Sequence, residues 1–314
     1  MGIGSRCTIM AQLKMLRWYL NTRTQQETKV NEIQPQSPRC SYLKHHQIMK
    51  KLLNVLSITA ICCTLMATIL TGSGVTSHAG RELVMESINA HGGKEKWYNN
   101  GLLQFRWTYY MTDKGPQAIV DTIQTVDPTN LNVMHEVPGK EINFGKNEGQ
   151  YWISPKGAEF SIPVQFWSLT PFYFVGIPFV FNDSHANFEI LADSMEFENK
   201  EYTQVKITYD QEAGDSPDDY YVLLIDPETK LTRGAYYIVT HKLVAPNGPG
   251  PEKFLTLDNL VDVDGIKLAS GHRTFSMENG KIAEQMRFTE VSGLKFLPKG
   301  SVDLSVPSPD LILE

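Results

Sequence analysis

Residues 103–111 read LQFRWTYYM, and apolar side chains occupy every second position of this stretch. The apolar face consists of Leu103, Phe105, Trp107, Tyr109 and Met111. A period of two over this length is typical of a β-strand with one buried face. Further strand-like segments follow as far as residue 291, and Asp264-Gly265 and Asn279-Gly280 suit the positive φ angles of tight hairpins. The sequence therefore predicts a mainly β fold of the α+β class, with a single curved antiparallel sheet or half-open barrel.

A helix is predicted before this strand, and an aromatic segment interrupts the strands after it. Residues 81–90 carry apolar side chains at helical spacing, and His91-Gly92-Gly93 ends the predicted helix. Residues 163–181 contain seven aromatic residues, and Thr170-Pro171 predicts a helix cap followed by a proline in the first turn. This segment is too apolar for an exposed loop. We expect it to pack on the concave face of the sheet, either as solid core or as a lid over a cavity.

The beginning of the chain has the pattern of a targeting signal. Met49 is followed by Lys50-Lys51 and by an apolar run over residues 52–70. A basic start and an apolar run of this kind are typical of a secretory signal. Small residues at positions 77 and 79 suit cleavage before Gly80. This pattern predicts an exported protein of the periplasm or cell envelope.

The chain is accordingly divided into three parts. We expect a spurious or disordered leader over 1–48, a signal peptide over 49–79, and a single β domain over 80–314. Either Met1 or Met49 is then the true start. Two alternatives stay open for the apolar run: residues 52–70 are retained as a membrane anchor, or Cys62 or Cys63 is lipidated.

Charge is unevenly distributed along the 314 residues. Residues 1–79 contain nine Lys/Arg and two Asp/Glu, whereas residues 80–314 contain 20 basic and 33 acidic residues. A net charge of −13 over the predicted domain would repel a phosphate backbone, which argues against nucleic acid as a partner. The cysteines are Cys7, Cys40, Cys62 and Cys63. The predicted domain therefore has no disulfide and no zinc-thiolate site.

Motifs of catalytic or cofactor chemistry are weak in this sequence. It contains no nucleophile elbow, zinc-protease helix, phosphate-binding glycine loop or dinucleotide fingerprint, and no cofactor is predicted. His91 is either a base or ligand, or a residue that favours the end of a helix. The carboxylates around Asp215 either hold a metal ion in a hydrolase or belong to solvated turns.

Several blocks together resemble a known family. They are Ala90-His91-Gly92-Gly93, Trp97, residues 171–180, residues 214–220 and Asp226-Pro227-Glu228-Thr229. This combination resembles a family of bacterial exported proteins, the domain of unknown function numbered 6503, over about residues 80–298. That family in turn looks like the lipoprotein-localisation (LolA/LolB) superfamily. The resemblance implies a curved antiparallel half-barrel in which helices cover an apolar cavity for acyl chains, and it implies no catalytic residues.

These observations favour a non-enzymatic exported protein that binds an apolar ligand, either a lipid or a lipoprotein acyl chain, between the sheet and residues 81–98 and 163–181. The residues expected to line the site are Trp107, Phe166, Trp167, Phe172, Phe174 and Phe179. A metal-assisted hydrolase using carboxylates near Asp215 and an envelope scaffold without a ligand are the alternatives.

Overall fold

The structure is a computed structural model that describes residues 77–210, 216 and 218–313. The predicted leader and the apolar run lie outside the described residues, and so does Asp215. The helices are α1 (77–90), α2 (Lys94–Asn99), α3 (Val164–Trp167) and α4 (Thr170–Val175), with 3-10 turns at Phe179–Phe181 and Pro309–Leu311. Among the residues that the structure describes, every helix falls short of the length and hydrophobicity that a membrane span requires.

The described strands are β1 (Leu102–Met111), β2 (Val120–Val126), β3 (Val133–Glu136), β4 (Asn143–Asn147), β5 (Gln150–Ser154), β6 (Ala186–Ile190), β7 (Met195–Phe197), β8 (Lys200–Tyr209), β9 (Tyr221–Ile225), β10 (Thr232–Tyr237), β11 (Lys253–Thr256), β12 (Asp258–Val263), β13 (Ile266–Glu278) and β14 (Lys281–Leu297). They form one antiparallel sheet in the order β5-β4-β3-β2-β1-β14-β13-β11-β10-β9-β8-β6, while β12 pairs with β13 and β7 with β8. The sheet stays open between β5 and β6, and bulges bend its central strands. The predicted fold class is confirmed.

The hairpins predicted from glycine dipeptides are present. Asp264 and Gly265 have φ angles of 52° and 81°, and Asn279 and Gly280 have φ angles of 51° and 72°. Positive φ at both central residues matches the twist of the flanking strands, which is why these dipeptides fix the hairpin register.

Two features of the sheet differ from the sequence prediction. The sequence has a continuous strand pattern over residues 254–263, but the structure divides it into β11 and β12, because β11 pairs with both β10 and β13 whereas β12 pairs with β13. Strand β6 was not predicted, since only Ala186 and Phe188 mark its buried face.

The main core lies on one face of the sheet, here called the inner face, where α1, α2 and residues 163–181 pack. It joins Val84 and Ile88 of α1 to Trp97 of α2 and to Phe105 and Trp107 of β1. A smaller apolar cluster lies apart from it and consists of Tyr202, Val222, Leu224, Tyr236 and Phe254. The inner face therefore holds most of the buried apolar surface.

Both edges of the open sheet are covered. At the β6 edge, Arg81 of α1 donates a hydrogen bond from Nη2 to the Ala186 carbonyl oxygen at 2.7 Å. At the β5 edge, Ile312 forms a β-bridge with Trp152, and the Leu313 amide donates to the Tyr151 carbonyl oxygen. Ile312 and Leu313, at the end of the described chain, therefore lie along the β5 edge.

Candidate functional site

Residues 163–181, here called the lid segment, form three short helical turns across the inner face. Helix α3 begins after Pro163, and α4 begins at Thr170 with Pro171 in its first turn. The prediction that Thr170 caps α4 is wrong, because Leu169 occupies the cap position. The Thr170 hydroxyl instead donates to the Phe166 carbonyl oxygen at 2.7 Å and so ties α4 to α3.

A pair of buried side chains fastens the middle of the lid segment to the sheet. The Ser168 carbonyl oxygen accepts hydrogen bonds from His135 Nε2 at 2.8 Å and from Gln124 Nε2 at 3.1 Å. Since Nε2 carries the proton of the neutral ring, Nδ1 accepts from the Thr122 hydroxyl at 3.3 Å. The lid is thus held by directed polar bonds as well as by apolar packing.

The second half of the lid segment fills the core beside Trp97. The Trp97 ring stacks on Phe179 with centroids 4.6 Å apart and on Phe172 with centroids 5.8 Å apart. Each of these three side chains is 1% exposed. This half of the segment corresponds to the solid-core interpretation of the sequence.

The first half of the lid segment, together with Phe174 of the second half, covers a cavity of about 330 Å³ on the inner face. Lid residues Phe166, Trp167 and Phe174 form one wall, and Trp107 lies opposite them on β1. The rings of Trp107 and Phe174 stack at 6.2 Å. A volume of this size is at the lower end of the range for small-molecule sites. This half of the segment corresponds to the lid interpretation.

The long connection between β10 and β11 forms the rim of the cavity. Val239, Val244, Ala245 and Gly250 of this connection contribute to the lining. Val244 is 38% exposed and its neighbour Leu243 is 51% exposed, so the rim faces solvent.

The six residues predicted to line the site fall into two groups. Trp107, Phe166, Trp167 and Phe174 line the cavity. Phe172 and Phe179 pack against Trp97 in the core. The sequence pattern alone does not separate the groups, because the division depends on where the Trp97 ring lies.

Sequence reasoning missed the cationic part of the lining, which consists of Lys253 on β11 and Arg287 on β14. Burial, and then the Arg287 charge, lowers the pKa of Lys253. The Arg287 guanidinium carbon lies 5.9 Å from the centroid of the Tyr109 ring. The sequence does indicate that these two cations face inward. Lys253 lies on the same face of β11 as buried Leu255, and Arg287 lies on the same face of β14 as buried Thr289.

His91 has a structural role in the fold. Its Nδ1 donates to the Lys267 carbonyl oxygen at 3.0 Å, and its Nε2 accepts from the Thr232 amide at 3.1 Å. Gly92 has a φ of 123°, and a Cβ there would lie 2.2 Å from the Gly265 carbonyl oxygen. The interpretation of His91-Gly92-Gly93 as a helix end accounts for these contacts, and both ring nitrogens are engaged by backbone groups.

The carboxylates of Asp219 and Asp226, near residue 215, have structural partners. Asp219 accepts hydrogen bonds from the Thr240 amide and hydroxyl, each at 2.7 Å. Asp226 accepts from Lys200 Nζ at 2.7 Å and from the Glu228 amide at 2.9 Å. Over residues 77–210, 216 and 218–313, no cluster of three or more His, Cys, Asp or Glu side chains has a metal-binding arrangement.

Comparison with known proteins finds solved structures to which the chain is similar. No family model and no curated protein matches the chain. A LolA superfamily protein from Nitrosomonas europaea is 9% identical, with 69% of this chain and 93% of that chain covered and a TM-score of 0.45. An outer membrane lipoprotein-sorting protein domain from Vibrio parahaemolyticus is 11% identical, with 72% and 95% covered and a TM-score of 0.43. A protein with the domain of unknown function numbered 1329 from Desulfovibrio piger is 12% identical, with 73% and 95% covered and a TM-score of 0.44.

These are the solved structures to which the chain is similar. At these identities and TM-scores the likeness says nothing about the ligand or the partner of this chain. The narrower resemblance to the domain of unknown function numbered 6503 stays a prediction.

Proposed function

We propose that this chain is an exported, non-enzymatic protein that binds one apolar chain, from a lipid or a lipoprotein, in the cavity beneath the lid segment. The observation that carries the proposal is the 330 Å³ cavity with aromatic walls from both lid and sheet. Each buried methylene group of a ligand contributes about 0.8 kcal/mol, so an acyl chain gains affinity here without any chemistry.

Filling the rim of the cavity is expected to weaken binding by about tenfold or more. Ala245 is a small, half-buried residue of the rim, and the indole of Ala245→Trp would occupy ligand space. Losing contact with two methylene groups weakens affinity by about tenfold or more. The purified protein is titrated with the neutral probe N-phenyl-1-naphthylamine, and the increase in fluorescence is measured.

The matched control is Ala283→Trp, the same change at an exposed position of β14 away from the cavity. Its affinity for the probe should equal that of the unmodified protein. If the unmodified protein binds neither the probe nor a copurifying lipid, the scaffold alternative replaces this proposal.

Export is proposed on the basic and apolar pattern of residues 49–79. Tight packing is already present at Gly80, where a Cβ would lie 3.0 Å from Phe188 Cβ, and Arg81 bonds to the Ala186 carbonyl oxygen. Cleavage before Gly80 would therefore keep these contacts. We expect N-terminal sequencing of the protein from the envelope fraction to begin at Gly80; a chain that still contains residues 52–70 would contradict cleavage.

A further inference from the structure

We propose that the cavity selects an anionic amphiphile, whose single apolar chain lies against the aromatic walls and whose carboxylate or phosphate pairs with Lys253 and Arg287. This inference rests on the proposed function and names its ligand class. It is carried by the charges in the cavity, by a buried donor without a partner, and by the position of the neighbouring carboxylates.

The lining has cations and no anions. Lys253 and Arg287 are its charged members, and no Asp or Glu of the described residues lines the cavity. This composition runs against the rest of the predicted domain, in which acidic residues outnumber basic ones by 33 to 20. Two cations that share a cavity repel each other, and a bound anion would relieve that repulsion.

The Arg287 side chain has unused hydrogen-bonding capacity. Its Nε is buried and has no hydrogen-bond partner among the described residues. A buried donor without an acceptor costs free energy, and an acceptor oxygen on a ligand would recover it. A guanidinium suits carboxylate and phosphate in particular, since its N–H groups can donate to two oxygens at once.

The nearest carboxylates along the chain are engaged away from these cations. Glu252 precedes Lys253 and accepts a hydrogen bond from the Tyr220 hydroxyl. Glu290, three residues after Arg287, interacts with Tyr110. Neither carboxylate lines the cavity. The protein therefore leaves both cations without an acidic partner where the structure describes them.

Lys253 and Arg287 lie on the same face of the sheet, two strands apart. Arg287 pairs with Thr274 across β13 and β14, and Thr274 pairs with Leu255 of β11, two residues from Lys253. All four of these residues line the cavity. Lys253 and Arg287 thus lie on the inner face of the sheet, and the aromatic side chains of the lid segment lie over that face.

A ligand series tests the inference without altering the protein. The full chain is titrated by calorimetry with dodecanoate, dodecyl phosphate and 1-dodecanol below their micelle concentrations. We expect at least one of the two anions to bind about tenfold or more tightly than the alcohol. The better anion identifies the head group.

Each outcome bears on a different proposal. If the alcohol binds as tightly as both anions, the anionic inference is overturned and the apolar-ligand function stands. If none of the three binds, the proposed function itself fails. If inorganic phosphate binds as tightly as dodecyl phosphate, the apolar chain contributes nothing to the affinity, and the proposal of an amphiphilic ligand is overturned.

Variants locate the charge selectivity. Lys253→Met and Arg287→Met should each weaken binding of the preferred anion by about tenfold and leave 1-dodecanol within about twofold. Lys295→Met removes the same charge from an exposed position of β14 and should change neither affinity. Unchanged affinity for the anion in both cavity variants would overturn the inference.

Discussion

Acidification from neutral pH to about pH 4 is expected to remove most of the folding free energy of this protein. His91, His135 and His272 are buried, with at most 1% exposed. Burial lowers the pKa of each imidazole from 6.5 to about 4 in the folded state. In the unfolded chain these rings take up protons near their ordinary pKa, so acid favours unfolding.

The three histidine pKa values set the direction of the stability change and the pH range in which it occurs. Because the folded pKa is depressed, the stabilisation is present above pH 6.5, is lost as the pH falls toward 4, and changes little below that. The shift corresponds to roughly 3 kcal/mol for each histidine, or roughly 10 kcal/mol together, against a typical stability of about 5–15 kcal/mol. The stabilisation from the carboxylates of Asp226 and Asp258, whose pKa is lowered from 3.8 to about 2, is present above pH 3.8 and is lost as the pH falls toward 2.

Denaturant titrations at pH 7, 5.5 and 4.5 check this expectation through the free energy of unfolding. His135→Gln should lower stability at pH 7 and reduce the pH slope by about one proton, because the variant no longer carries that imidazole. A free energy of unfolding that is the same at pH 7 and pH 4.5 would contradict the prediction.

Trp97→Ala is expected to cost about 3–5 kcal/mol of folding stability. Its ring joins three parts of the structure, since it stacks on Phe172 and Phe179 of the lid segment and meets Phe296 of β14 edge-on at 6.2 Å. The ring also packs close to the Gly176 backbone, since a Cβ added to Gly176 would lie 3.3 Å from Trp97 Cζ2. The denaturation midpoint and slope measure the loss.

Two comparison variants separate packing from ligand binding. Trp97→Phe keeps a stacking ring and should lose less than half as much stability as the alanine variant. Phe166→Ala removes a half-buried side chain from the wall of the cavity. It should reduce the free energy of probe binding by more than it reduces the free energy of unfolding. A loss below about 1 kcal/mol for Trp97→Ala would mean that the lid is held chiefly by other contacts.

The sequence predicts the fold class because its local patterns and its global fold agree. The alternation over residues 103–111 and the glycine dipeptides at 264–265 and 279–280 each determine strand or turn geometry without distant partners. The division between β11 and β12 was not predictable in this way. It depends on which strands lie beside Thr256 and Asp258, and the apolar pattern continues through both residues.

The candidate site was predictable in part for a similar reason. Seven aromatic residues in 163–181 identify a segment that must be buried, and four of the predicted residues line the cavity. The pattern could not divide core from cavity wall, because that requires the positions of Trp97 and of the connection before β11. Lone cations in strands are usually assigned to the solvent face, which is why Lys253 and Arg287 were missed.

The bridge between Ile312 and Trp152 has a consequence for self-association. This bridge occupies part of the edge of β5, whose backbone amides and carbonyls could otherwise pair with an extended segment of another chain. We expect a chain that ends before residue 309 to leave this edge open to pairing with a strand of a second molecule, and size-exclusion chromatography would show that pairing as self-association.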